Sequence, residues 1–264
     1  ERSVASAPLL LASAIAARLP ILITGEPGSG KEVAARYLHS QSARRDRTFV
    51  EMNLAAVPAQ NMATQLFGTE QGGETTAGVF EQAAGGTLFL DQIGDLDLAT
   101  QSRLLSGLEE KRYLRVGGKT PVTLDVRILA ATNLNLERAI AEGRFREDLY
   151  YRLNVVPLTI PALREHREDV PELVGFYVDW MVEKERLPYR RFSTGALNML
   201  RNHTWPGNIR ELKNLVQRLL ILSHGEEVTE ADVTAALGAQ KTIPATVNEA
   251  PFTDGGSAER GAVP

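Results

Sequence analysis

No cysteine occurs among the 264 residues, which excludes a disulfide framework and any thiolate metal site. Histidine is scarce as well, and four scattered residues leave zinc only an unusual carboxylate-rich cage. Positive charge is not in surplus. Lysine and arginine total 29 against 33 aspartates and glutamates, a net charge of −4 that gives no general pull toward nucleic acid. A long hydrophobic run is missing too. Pro8 to Ala17 is apolar, but Glu1 offsets Arg2 ahead of it and Arg18 ends it well short of a membrane span. It reads as a soluble amphipathic helix leading into a buried strand, not as a secretory leader. What is present is ordinary globular composition, 43% apolar and 23% charged, enough for one large domain or two modest ones. A soluble protein of a reducing compartment, the cytoplasm, with no membrane partner, is the expectation.

A short apolar run bounded by turn residues at Pro20–Thr24 suits a strand buried on both faces; further strands fit Phe49–Asn53, Thr87–Asp91 and Tyr113–Val116, and Asp125–Ala131 and Val155–Leu158 read as buried strands. Helical patterns at Val33–His39 and Thr100–Glu110 alternate with them. That alternation predicts an α/β domain on a mainly parallel sheet, taken here as residues 1–163. From Arg167 to Leu237 the pattern is helical, with a break at Trp205-Pro206-Gly207-Asn208. A smaller all-helical subdomain is therefore expected at 164–238. Residues 239–264 are rich in Pro, Gly, Ser, Thr and Ala and read as a linker or tail. Arg44-Arg45-Asp46-Arg47 reads as a solvated loop.

The strongest local signal is Gly25-x4-Gly30-Lys31 between a strand and a helix. Glycines let backbone N–H groups turn toward phosphate oxygens, and the helix N-terminus adds partial positive charge. The lysine reaches the β- and γ-phosphates. The candidate nucleotide-binding set is Gly25, Glu26, Pro27, Gly28, Ser29, Gly30, Lys31, Glu32 and Val33, with ATP as the ligand. Glu32 stands where Ser or Thr usually holds Mg²⁺. Such a loop also needs a metal-organising carboxylate at the end of another buried strand, and Asp91 is placed to hold Mg²⁺. Its neighbour is Gln92, where many ATPases of this kind carry glutamate. An amide can hold a water but cannot accept its proton, so ATP binding is better supported than turnover.

Four segments occur in a telling order: Gly25 to Glu32, Gly85-Gly86-Thr87-Leu88-Phe89-Leu90-Asp91, Phe145 to Leu153, and Trp205 to Leu212. From about Pro20 to Leu237 the chain resembles the central AAA+ domain of bacterial enhancer-binding proteins, the sigma-54-dependent activators. The resemblance implies a P-loop AAA+ core followed by a helical lid, and makes Glu32 usual. It gives Asn133 the sensor I role beside the γ-phosphate, and Arg146 and Arg152 the role of arginine fingers acting in trans. Self-association as a ring or dimer is implied with them. Arg210 matches sensor II, and Asn53 matches the partner of the catalytic glutamate, here facing Gln92. The helix from Ile209 to Leu222 carries Arg210, Lys213 and Arg218, but its apolar spacing marks a lid helix rather than a DNA-reading one.

One segment departs from the family. Active members carry a Gly-Ala-Phe-Thr-Gly-Ala loop that contacts sigma-54. Here Leu66-Phe67-Gly68 runs through a shorter stretch to Val79-Phe80 without that phenylalanine. Contact with sigma-54 is therefore not expected. The shortened loop is similar to that of NtrX-type response regulators, which place a receiver domain before the AAA+ region and a helix-turn-helix domain after it. DNA would be read only by such a domain, and the tail fits the linker toward it. The implied function is an ATP-binding module of a two-component transcription regulator that couples nucleotide to oligomerisation. The alternative is an active ATPase that remodels a transcription partner through a ring.

Overall fold

A computed structural model describes residues 19–240, with side chains through 238. The apolar helix expected at Pro8–Ala17 lies outside the described residues, as does the expected tail beyond residue 240.

Strand β1 (Ile21–Thr24) enters the glycine-rich loop and helix α1 (Lys31–Ser40). Next come β2 (Phe49–Asn53) and α2 (Ala59–Phe67). A hairpin of β3 (Thr69–Gln71) and β4 (Glu74–Thr76) leads to the short α3 (Val79–Gln82). Then β5 (Thr87–Asp91) and α4 (Leu98–Glu110) precede a second hairpin, β6 (Arg112–Leu114) and β7 (Pro121–Thr123). The core closes with β8 (Arg127–Thr132), α5 (Leu136–Ala141), α6 (Glu147–Leu153) and β9 (Val156–Thr159).

The main sheet has five parallel strands in the order β2-β5-β8-β1-β9. Alternation across its pleat explains why its inner strands are apolar on both faces, while the edge strands β2 and β9 are only partly buried. Ile21 and Ile23 join Ala35, Leu38 and Phe89 on the α1 face, whereas Leu22 joins Leu88, Leu90 and Ala130 on the other. Register levels the strand ends. Asn53 pairs with Asp91, and Thr24 pairs with both Thr132 and Thr159. The residues that follow these ends therefore share one edge of the sheet, where open α/β folds bind ligands.

The lid follows through a 3₁₀ turn at Leu163–Glu165. It comprises α7 (Val170–Glu185), β10 (Arg191–Phe192), α8 (Thr194–Asn202), α9 (Asn208–Leu222), β11 (Glu227–Val228) and α10 (Glu230–Gln240). A two-residue parallel pairing of β10 with β11 is thus added to the expected helices. The lid has its own core, in which Val174, Val178 and Met181 of α7 meet Trp205 and the α9 stripe Leu212, Leu215, Val216, Leu219 and Leu220. The basic residues of α9 are also used internally. Lys213 lies 4.3 Å over the Trp180 ring, and Arg218 donates to Ala236 O. No helix among the described residues is long and apolar enough to cross a membrane.

Two local expectations need correction. The strand expected over Tyr113–Val116 stops at Leu114, because Arg115 turns to pair with Glu81 at 2.6 Å and Val116 bridges to Thr69. The Arg44–Arg47 loop is not solvated throughout: Arg44 donates to Gly86 O at 2.9 Å and to Asp125 Oδ1 at 2.5 Å, tying together the entries to β5 and β8.

Candidate nucleotide-binding site

The loop after β1 owes its path to glycine. Gly28 and Gly30 adopt φ of 76° and 97°, a left-handed region that side chains rarely occupy, and Gly30 caps α1. At Gly28 space is also lacking, since a Cβ there would meet Gly207 O at 2.3 Å. The loop and the lid therefore touch backbone to backbone.

Lys31 opens α1 and is only 7% exposed. Its ammonium donates to Gly25 O at 2.8 Å and Glu26 O at 2.9 Å, so it is held across the mouth of the loop. Burial pushes its pKa down, and the facing Asp91 carboxylate counters that shift. Ser29 is buried, and its Oγ has no hydrogen-bond partner among the described residues. A buried hydroxyl without a partner, set among inward-turned glycines at a helix N-terminus, suits an oxyanion.

Asp91 ends β5 and is half-buried, which raises its pKa; the Gln92 N–H at 3.0 Å and Lys31 offset part of that rise. Gln92 is held at φ 61°, a left-handed position for a non-glycine residue. Asn53, level with Asp91 on the next strand, uses its Oδ1 to cap the turn at Ala55 N, 3.0 Å away. Asn133 follows β8 and is exposed at the same edge. Glu32 accepts from Arg36 at 2.8 Å, and Arg36 also grips Glu51 of β2 at 2.5 Å. The Val33 side chain is 70% exposed, so any contribution from that position is through its backbone.

Arg210 of α9 joins the loop through its backbone, donating to Gly28 O at 3.3 Å, and its charge bears on both Lys31 and Asp91. The two other arginines stand apart. Arg146 grips Asp148 at 2.6 Å and Ser102 Oγ at 3.1 Å, while Arg152 donates to Leu108 O at 3.0 Å. Both are thereby set against α4, and among the described residues neither bonds to the loop of its own chain.

Three residues that sequence reasoning missed also belong here. Arg164 and Asn208 hold Glu26, and Pro27 O is bound by the same Asn208. Arg164 lies 138 positions from Glu26, so no local pattern announces the pair. Glu51 joins the site through Arg36.

The segment after Gly68 is a closed hairpin. Gly72 and Gly73 turn it with φ of 61° and 89°, the signature of a two-residue mirror-image turn. Arg115 and Thr120 reach Glu70, which fastens this hairpin to the β6–β7 region.

Residues 2–159 match the sigma-54 interaction domain family, and residues 164–250 match the AAA+ ATPase lid domain. The DNA-binding transcriptional regulator NtrC of Rhizobium meliloti is 50% identical over 83% of this chain and 46% of its own length. The nitrogen assimilation regulatory protein NtrX of Azorhizobium caulinodans is 47% identical over 82% of this chain and 48% of its own. The chain thus spans about half the length of these curated relatives. The crystal structure of Brucella abortus NtrX in complex with ATP superposes with a TM-score of 0.80 at 41% identity, covering 88% of this chain and 55% of that one. The same protein with ADP gives 0.82 at 40% identity, over 94% and 57%. The β/α core with its helical lid, and the matches that run through both, place this chain in the sigma-54 interaction domain family of AAA+ proteins.

Proposed function

We propose that this chain is the ATP-binding AAA+ module of a bacterial two-component transcription regulator, acting in the cytoplasm and coupling nucleotide binding to self-association. The observation that carries the reading is the loop itself, with Lys31 held across its mouth and the Ser29 hydroxyl buried without a partner among the described residues. The ATP and ADP complexes of the Brucella abortus protein support it. The nucleotide unit is taken as residues 1–163 and the lid as 164–238, with DNA read by a helix-turn-helix domain beyond these residues.

Within this reading each residue has a task. Gly25 to Val33 wrap the phosphates, and Lys31 neutralises their charge. Asp91 would hold Mg²⁺. Such an ion keeps several waters and is held by one or two carboxylates together with the phosphates. Asn133 and Arg210 monitor the phosphates. Arg146 and Arg152 serve a neighbouring copy, because they are set apart from their own loop.

One measurement on two proteins tests the assembly half of the proposal. Light scattering with saturating ATP is expected to give a dimer or ring where the free protein is smaller, and Arg152→Ala is expected to remain small. A mass unaffected by ATP would remove the coupling. The closed β3–β4 hairpin supports a module that does not grip sigma-54. On gel filtration with ATP and sigma-54 the two proteins should elute separately; a shared peak would refute that part.

A further inference from the structure

Glu26 is an acid inside a loop built for phosphates, where a bare carboxylate would repel the ligand. The fold answers that charge. Arg164, just past the last strand of the core, donates Nη1 to Oε2 at 2.8 Å and Nη2 to Oε1 at 2.5 Å, a fork-to-fork pair. Asn208 adds Nδ2 to Oε2 at 3.1 Å. These hydrogen bonds bring the Glu26 carboxyl down to about 2. The partners are themselves fixed. Asn208 is fully buried at φ 52°, the first residue of α9, and its Oδ1 accepts the Leu163 N–H at 2.8 Å.

We propose that Glu26 and Arg164 form a charge-compensated latch that seats the lid on the phosphate loop and makes lid position and phosphate occupancy depend on each other. Glu26 is a positioning residue here, and this role rests on reading the loop as a nucleotide site. Two consequences separate it from a generic contact. Removing Arg164 alone leaves a bare carboxylate beside the triphosphate, so it costs more affinity than removing Glu26. Removing both discards the repulsion with the contact, so affinity partly returns while the lid stays loose.

The experiment uses the whole chain, a fluorescent ATP analogue for affinity, and amide hydrogen exchange without nucleotide for the lid. Arg164→Gln is expected to weaken the analogue by about tenfold and Glu26→Gln by about twofold, while the double variant recovers about threefold over Arg164→Gln. The amides of Leu163 and Arg210, bonded to Asn208 Oδ1 and Gly28 O, should exchange about fivefold faster or more in all three variants. A double variant as weak as Arg164→Gln overturns the charge compensation, and unchanged exchange at both amides overturns the latch. Equal affinity of the wild type and Lys31→Ala would instead defeat the nucleotide reading, and the exchange data would still decide whether Glu26 seats the lid.

Discussion

Lys31→Ala weakens ATP binding by about a hundredfold, the loss expected when a buried cation shared by two phosphates is removed. The geometry sets the size of the effect. The ammonium is 7% exposed and spends its hydrogen bonds on Gly25 O and Glu26 O. Its removal leaves those two carbonyl oxygens without their donor and takes one positive charge from the mouth of the loop. Asp91 loses its counter-charge as well, and burial then favours the protonated carboxyl still more. Titration with a fluorescent ATP analogue checks this, and equal affinity in the two proteins would remove the basis of the proposed function.

Gln92→Glu raises phosphate release by at least some tens of fold, toward the factor of about 10²–10⁴ that a general base supplies. Position 92 follows Asp91 at the sheet edge, with its backbone held in the left-handed region at φ 61°. A glutamate there would add the proton acceptor that an amide lacks. It would also add negative charge beside Asp91, whose pKa burial already raises, a rise that Lys31 and Arg210 offset in part. Phosphate release at saturating ATP is the measurement. A variant that stays at the background rate would place the block elsewhere, in assembly or in the trans arginines.

Much of the core was legible because its signals are local. The strand Thr87–Asp91 has the bounds its apolar run suggests, since a strand buried on both faces needs only a run and its stops, and the half-exposed edge strand Phe49–Asn53 also has the expected bounds. The loop from Gly25 to Lys31 was legible for a similar reason: glycine spacing between a strand and a helix has few other uses. The helix Ala59–Phe67 was not legible. Its buried residues are Met62, Leu66 and Phe67, too few to set a period. The pairing of Arg191–Phe192 with Glu227–Val228 is two residues long and joins distant segments, so no window contains it. The same holds at the site. Glu26 reads as a phosphate-loop residue, yet its partners Arg164 and Asn208 come from the start of the lid and the first position of α9 and are set by the fold alone. Arg44 shows the reverse error, where a charge run that reads as solvated surface supplies a guanidinium that ties Gly86 to Asp125.

On the proposed reading, the phosphate loop holds ATP but lacks the base to hydrolyse it. The direct test is to incubate the wild-type chain with ATP and Mg²⁺, isolate the complex, identify the bound nucleotide and follow phosphate release in parallel. Intact ATP on the protein and release at the buffer rate are the expected results. Bound ADP with steady release, or no bound nucleotide at all, would contradict that reading.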